Sequence, residues 1–439
     1  MELSLEQQNA FDKFILGENV FITGSAGSGK SELIRKIYRH CISNRKGIQV
    51  CALTGCASIL LNCKAKTVHS WSGIGLGNGS VDVLINKIKQ NLYKKKAWTE
   101  ISVLVIDEVS MMSIKLFDTL DAIGRGVRNN HSPFGGIQVI LSGDFYQLPP
   151  VGNYNDVDTM RFCFESEDWN NVFKKNCQIQ LVKIFRQTDN KYISILNQVR
   201  EGIVKRSSNE LLKSRVGLIP PEGTVITQLY PRRNSVEVIN CNKMKELTTP
   251  EHTFEIQLLT NLPLLSDEDK RKRNRIGKVE IDIELQHIKT NLLCDPTLKL
   301  KVGAFVMCIV NMEISSDIVL CNGSQGIITG FSEITRLPIV RFNNGSEVTI
   351  NYYTWTSENI PGIGVSQIPL ILAWAITIHK SQGTTLDMAQ IDVGRGIFEA
   401  GQTYVALSRV KSIDGIYLTS FDVTRIKINR KVKEFYDNL

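Results

Sequence analysis

The sequence predicts an α/β protein built on parallel sheets, with a small all-β barrel inserted into its second α/β part, and three observations carry that prediction. First, Gly24-Ser25-Ala26-Gly27-Ser28-Gly29-Lys30-Ser31 follows the apolar run Val20-Phe21-Ile22 and opens an amphipathic stretch from Glu32 to His40, the strand-to-helix setting of a phosphate-binding loop. Second, apolar runs closed by turn residues recur at Val20–Ile22, Gln49–Leu53, Val103–Ile106 and Gln138–Leu141 with helical patterns between them, as a parallel sheet requires. Third, from about Leu300 to Trp355 short β-rich runs alternate with tight turns, and Asn343-Asn344-Gly345 between two such runs signals a hairpin.

A second α/β set is expected to begin near Ile179-Gln180-Leu181, to continue at Thr224-Val225-Ile226-Thr227, and to resume at Ile368 to Ile378 and Gly415-Ile416-Tyr417-Leu418. The corresponding domains are 1–176, then 177–250 with 356–439, with an insertion at 251–355 whose β module spans about 300–355. Ahead of that module, Asp269-Lys270-Arg271-Lys272-Arg273-Asn274-Arg275 is a basic run that reads as a solvated loop, a nucleic-acid contact or a nuclear-targeting segment.

Composition narrows the class. At 439 residues, 42% hydrophobic and 22% charged, the chain has enough apolar content for sizeable cores. Lys+Arg exceed Asp+Glu by 52 to 44, a formal +8 that suits a polyanionic partner without establishing one. Ten cysteines occur, no two at C-x-x-C spacing, which reads as reduced thiols rather than a disulfide framework or a zinc site. The N-terminus lacks a basic-then-apolar leader and no apolar run approaches membrane-spanning length, so an intracellular, soluble protein is expected, in a nucleus, a bacterial cytoplasm or a virus-infected cell.

The phosphate loop has a definite chemistry. Its glycines let consecutive N–H groups turn inward at phosphates, the following helix N-terminus adds a positive dipole end, Lys30 reaches the outer phosphates, and Ser31 is the expected ligand of Mg²⁺. Asp107-Glu108 ends the buried run Ile101–Ile106, which places two carboxylates at the C-terminal edge of a strand, where parallel sheets bind ligands. Asp107 can hold the Mg²⁺ shell through water, and Glu108 can orient and deprotonate an attacking water. An isolated Asp-Glu would be a surface turn; the phosphate loop upstream favours catalysis.

With Gly143-Asp144-Phe145-Tyr146-Gln147-Leu148-Pro149-Pro150 added to these, the chain resembles the petite-integration-frequency (Pif) helicases of superfamily one, and the resemblance runs almost end to end. Leu3-Ser4-Leu5-Glu6-Gln7 is similar to their adenine-reading Q motif. Ala52-Leu53-Thr54-Gly55-Cys56-Ala57 and Thr67-Val68-His69-Ser70-Trp71-Ser72-Gly73-Ile74-Gly75 are similar to the segments that touch single-stranded DNA. Phe185-Arg186-Gln187, followed by Leu196-Asn197-Gln198-Val199-Arg200-Glu201-Gly202, resembles the fourth motif, whose Arg186 would approach the γ-phosphate; Ile378-His379-Lys380-Ser381-Gln382-Gly383-Thr384 lies in the match to the fifth, and Tyr404-Val405-Ala406-Leu407-Ser408-Arg409-Val410 resembles the sixth. Trp71 stands where the family usually has phenylalanine, which would keep an aromatic face for a base, and Tyr146 likewise replaces a common phenylalanine.

The resemblance implies two RecA-like domains, an SH3-like β-barrel as the inserted module, and a short wedge element within 67–98. It implies ATP and Mg²⁺ as cofactors, with Gln7 near the base, Gly24, Ser25, Ala26, Gly27, Ser28, Gly29, Lys30, Ser31, Gln382 and Gly383 around the nucleotide, and Ser31 and Asp107 on the metal. Lys30, Asp107, Glu108, Gln147, Arg186 and Arg409 would carry the chemistry, and Thr54, His69, Trp71, His379 and Lys380 would face DNA. Gln147 could sense the γ-phosphate or cap the loop before Pro149; Arg409 could snorkel or stabilise transition-state charge; His379 could be a core histidine or face the DNA backbone. The partners implied are single-stranded DNA and single-strand/duplex junctions, with no membrane and a monomer in the free state. A helicase moving 5′ to 3′ on DNA is the main reading. The rivals are a non-enzymatic DNA-binding protein with a decayed ATPase, which would need a lost Lys30, Glu108 or Arg409 where all three are present; an RNA or hybrid helicase; a single-strand-dependent ATPase that does not unwind; and a small-molecule kinase, which would leave His379-Lys380, Ser408-Arg409 and the second α/β domain without a purpose.

Overall fold

The computed structural model describes residues 3–54, 57–58, 61, 63–74, 80–153, 155–221, 224, 226–263, 267–292, 294–310, 312–313, 319–320, 323–357 and 360–439. Gly55, Cys56, Gly75 and Val225 lie outside the described residues. The chain divides into two compact units, Met1–Ile219 with Ser381–Leu439, and Pro220–Lys380.

The first unit is organised by a six-stranded parallel sheet of β1 (Val20–Gly24), β2 (Ile48–Ala52), β3 (Lys66–Thr67), β4 (Val103–Asp107), β5 (Gln138–Gly143) and β6 (Gln178–Leu181), in the order β3-β2-β4-β5-β1-β6. Strands β1, β4 and β5 are buried throughout, so their apolar runs feed two cores, and the two-residue strand period sorts them. Phe21, Leu104, Ile106, Val139 and Leu141 face one core; Val20, Ile22, Val103, Val105 and Ile140 face the other. Helices α1 (Leu5–Ile15) and α2 (Lys30–Ser43) cover the second face with Ala10, Phe14, Leu33, Ile34, Ile37 and Cys41. The first is covered by the helix Ile114–Arg128 and by an aromatic cluster of Phe117, Phe134, Phe145, Trp169 and Phe173. The helix Arg430–Asp437 also packs there through Val432, Phe435 and Tyr436.

The strand near Ile179 corrects one expectation. β6 does not begin a second α/β set; it pairs parallel with β1, from Phe21 opposite Gln178 to Gly24 opposite Leu181, and so forms the edge of the first sheet. The alternation of Ile179 and Leu181 is that of an edge strand with one buried face, a pattern any α/β sheet can accept. Also within this unit, Ala389–Val393 pairs parallel with Ile416–Phe421.

The second unit holds Thr227–Tyr230, parallel to Ala375–Thr377, and a five-stranded antiparallel sheet of Phe305–Cys308, Gln325–Phe331, Pro338–Phe342, Glu347–Thr349 and Leu370–Leu372. Two expectations shift here. The strand foreseen at Thr224–Thr227 lies at Thr227–Tyr230, and the run Ile368–Ile378 divides between the antiparallel sheet and the parallel pair. The hairpin signal holds: Phe342 N–H donates to Ser346 O at 2.8 Å, and Gly345 closes the turn at φ +85°. The basic run is helical over Asp267–Arg273 rather than a loop, with Lys270 bridging back to Asp267 at 2.9 Å. Among the described residues no helix is long and apolar enough to cross a membrane.

Candidate nucleotide site

The C-terminal ends of β1, β4 and β5 bring the predicted catalytic groups to one edge of the first unit. After β1 the loop turns through Gly24, Gly27 and Gly29 at φ +146°, +83° and +83°. A Cβ at Gly27 would lie 2.5 Å from the Cβ of Arg186, so both backbone angle and space demand glycine there. Helix α2 starts from Gly29 with no side-chain cap, which leaves its first-turn N–H groups, those at Lys30 and Ser31 among them, directed to the loop interior as an anion site. The Lys30 ammonium donates to Gly24 O at 2.6 Å and to Ser25 O at 3.1 Å, so it is folded onto the loop it serves. Burial pushes its pKa below the ordinary lysine value, against the opposing pull of Asp144, Glu108 and Asp107.

Asp107 is the last residue of β4 and is 6% exposed. Glu108 follows at φ +57°, a left-handed conformation that is uncommon for a residue with a Cβ and that turns its carboxylate into the site. Burial first, and the neighbouring Asp107 charge second, push Glu108 up to about 6, while Lys30, Arg409 and the Gln382 carboxamide oppose the shift. Burial also raises Asp107. A buried and a half-buried carboxylate beside one lysine make a site that favours a cation, and together with the cradle of glycines they fit a magnesium–nucleotide complex. Gln382 holds the second of them: its Nε2 donates to Glu108 Oε2 at 3.0 Å, and Gly383 makes the next turn at φ +82°.

Arg186 and Arg409 reach the same place. Arg409 is only 2% exposed, so it does not snorkel to water; its Nε donates to Val405 O at 2.8 Å and its Nη2 to Ser408 Oγ at 2.8 Å. Burial and the neighbouring Arg186 guanidinium lower it to about 9, and Glu108 opposes that shift. Arg186 Nη1 donates to Ser408 O at 3.0 Å. From the same segment Tyr404 accepts the Ala26 N–H at 2.7 Å, tying the sixth motif to the phosphate loop.

Past β5, Asp144 is wholly buried and receives the Arg200 guanidinium, Nη2 to Oδ1 at 2.7 Å and Nε shared between Oδ2 at 3.0 Å and Oδ1 at 3.2 Å. Burial opposes both charges, but their pairing outweighs it and holds Asp144 below and Arg200 above their usual values. Gln147 is 5% exposed, and its backbone N–H closes a turn onto Asp144 O at 2.8 Å. Asp144, Arg200, Tyr404 and Tyr436 received no role from sequence. Asp144, Arg200 and Tyr404 each sit inside a recognised motif, but nothing in a linear pattern pairs Asp144 with Arg200 or with a tyrosine near residue 436.

Gln7 ties the first helix to the phosphate loop. Its side chain completes a capping box with Ser4 and donates to Gly29 O at 3.2 Å, binding α1 to the phosphate loop. Beside it lies a cavity of about 680 Å³ lined by Leu3, Gln7, Phe11, Gly29, Lys36 and Phe185 among others. Phe185 is 41% exposed and its N–H donates to Gly27 O at 2.8 Å, which makes it an open aromatic face next to Gln7.

The predicted DNA-facing residues are spread over both units. Thr54 follows β2, accepting the Ala57 N–H at 3.2 Å, and the half-buried His69 lies in the helix Val68–Ser72. Trp71 is a correction: it is 2% exposed and its ring centroid lies 4.6 Å from that of Trp98. The one-and-a-half-turn helix lays Val68 and Trp71, three residues apart, onto the core with Leu84 and Ile88, so the indole packs inside rather than presenting a face to a base. His379, half-buried, and the exposed Lys380 stand in the second unit, after Ala375–Thr377.

The PIF1-like helicase family matches residues 2–210, and the 2B domain of DNA helicase Pif1 matches residues 285–331. The "ATP-dependent DNA helicase PIF1" of Danio rerio is 36% identical over 442 residues, covering 100% of this chain, and the chain spans 64% of that relative's own length. The crystal structure of Pif1 helicase from Candida albicans is similar at 35% identity and a TM-score of 0.79, covering 100% of this chain and 99% of that one. Bacteroides sp Pif1 in complex with ADP-AlF4 gives 30% identity and a TM-score of 0.80, covering 100% and 97%, and Bacteroides Pif1 bound to ssDNA gives 30% and 0.68 over the same shares.

Proposed function

This chain belongs to the PIF1-like helicase family, and from that premise we propose that it is an ATP-dependent DNA helicase that moves 5′ to 3′ on single-stranded DNA and opens duplex ahead of it. The observation that carries the reading is the convergence of Lys30, Asp107, Glu108, Gln382, Arg186 and Arg409 on one glycine-lined loop within the first unit.

Lys30, Ser31, Asp107 and the loop N–H groups are the residues that would hold magnesium and ATP, with Gln7 and Phe185 at the base. When bound, the magnesium–nucleotide complex supplies the phosphoanhydride whose cleavage drives the cycle. Glu108, held by Gln382 at 3.0 Å, orients a water and takes its proton. Arg186 and Arg409 bring positive charge to the surroundings of Glu108, where charge grows in the transition state, and Gln147 reads the terminal phosphate from beyond the end of β5. Thr54, His69, His379 and Lys380 contact the strand. The direction of travel and the preference for DNA over RNA rest on the family.

Turnover of ATP with and without single-stranded DNA, measured for the wild type and for Arg409→Ala, tests the reading. DNA should stimulate the wild type, and Arg409→Ala should lower kcat by about a thousand-fold or more with ATP affinity nearly kept, as for a group that acts on transition-state charge. A change confined to KM would contradict the assignment of Arg409, and turnover indifferent to DNA would favour the kinase-like rival.

A further inference from the structure

We propose that Tyr436, together with Arg200, is a positioning residue for ATP hydrolysis: its hydroxyl locks the strand end that enters the phosphate loop to the loop that carries Gln147. The inference rests on the reading of Gln147 as the group that senses the terminal phosphate.

One hydroxyl makes all three connections. Tyr436 Oη lies 2.5 Å from Thr23 Oγ1, the residue just before Gly24; it accepts the Phe145 N–H at 3.2 Å; and it donates to Asp144 Oδ1 at 3.3 Å. A phenol has one proton to give and two lone pairs to receive with, so donation to Asp144 and acceptance from Thr23 and Phe145 use its whole capacity. The Asp144 carboxylate is in turn filled by the Arg200 bonds and by the Tyr146 N–H at 3.3 Å. Arg200 lies over both tyrosine rings, 4.5 Å from the centroid of Tyr146 and 5.1 Å from that of Tyr436, and those rings stack at 4.7 Å and 15°.

The loop from Asp144 to Gln147 is therefore held from one side by this network. Gly401 packs against the same loop, where a Cβ would fall 2.5 Å from Gln147 O and 2.6 Å from Tyr146 O. With the loop held at these contacts, the position of Gln147 relative to Lys30 depends on a hydroxyl 289 residues further along the chain. A largely buried polar network whose donors and acceptors are paired holds one geometry, and small errors of placement at a reacting centre are costly.

Tyr436→Phe removes the hydroxyl and leaves the stacked ring. It should lower kcat for DNA-stimulated ATP hydrolysis by about ten-fold, with KM for MgATP and the affinity for MgADP within about two-fold, and weaken ADP–aluminium fluoride binding by about ten-fold. The loss should nearly vanish in a Gln147→Ala background, because both substitutions disable the same group. Thr23→Val, which keeps shape and loses the hydroxyl's partner, should show the same selective loss and carries the test if Tyr436→Phe fails to fold. Wild-type kcat in folded Tyr436→Phe or Thr23→Val, or a full ten-fold cost added to that of Gln147→Ala, would overturn the positioning role while leaving the sensor reading intact. Unchanged turnover in Gln147→Ala would overturn both.

Discussion

Glu108 combines a left-handed backbone, a half-buried side chain and a raised pKa, the combination expected of the proposed base. Its φ of +57° stores energy that a plain surface turn would not carry, and burial beside Asp107 raises it to about 6. A base must be deprotonated to accept a proton, so the sign is fixed: kcat/KM, measured across pH with MgATP held constant, should be flat above neutrality and fall as pH drops through about 6. A profile level down to pH 5 would show that another group takes the proton. Glu108→Gln should keep MgATP binding and lower turnover by about a hundred-fold or more. Trp71 points the other way. Sequence suggested an aromatic platform, but its indole sits in the core with Trp98, so Trp71→Ala should lower stability by about 3–5 kcal/mol in a denaturant titration. A variant of normal stability with weakened single-strand binding would restore the stacking role.

Elements were legible where sequence pattern and backbone need coincide. The phosphate loop, β1, β2, β4 and β5 follow from apolar runs buried on both faces, and the Asn343-Asn344-Gly345 turn follows from the positive φ it requires. What failed was pairing. β6 carries the same short apolar signature as any strand, and only its hydrogen bonds to β1 reveal that it belongs to the first sheet. The strand Leu370–Leu372 was likewise merged with Ala375–Thr377, although the two lie in different sheets three residues apart. At this scale the loop gives its own test. Gly27→Ala must fit a methyl group at φ +83° where Arg186 Cβ stands 2.5 Å away, so it should lose nucleotide binding by fluorescent-analogue titration, whereas Gly17→Ala, also at positive φ but with open space around it, should retain it.

For the molecule as a whole, motif order conveyed more than any local pattern. Lys30, Glu108, Gln147, Arg186, Gln382 and Arg409 are scattered over 380 positions yet lie within one compact unit, and the division between units falls between Lys380 and Ser381, inside a single motif. The bond of Gln382 to Glu108 links the fifth motif to the carboxylate that follows β4, and the bond of Tyr404 to Ala26 links the sixth motif to the phosphate loop, the arrangement expected if nucleotide state is passed to the segments that grip a strand. Sequence could place those motifs in order but not supply the supports behind them, because Arg200, Asp144 and Tyr436 meet only through tertiary packing. The most direct test of the central claim is strand displacement, with MgATP, from duplexes bearing either a 5′ or a 3′ single-stranded tail, with Lys30→Ala as the control. The account predicts that the wild type opens the 5′-tailed duplex and not the 3′-tailed one, and that Lys30→Ala opens neither; failure of the wild type to open any tailed duplex while hydrolysing ATP would contradict it.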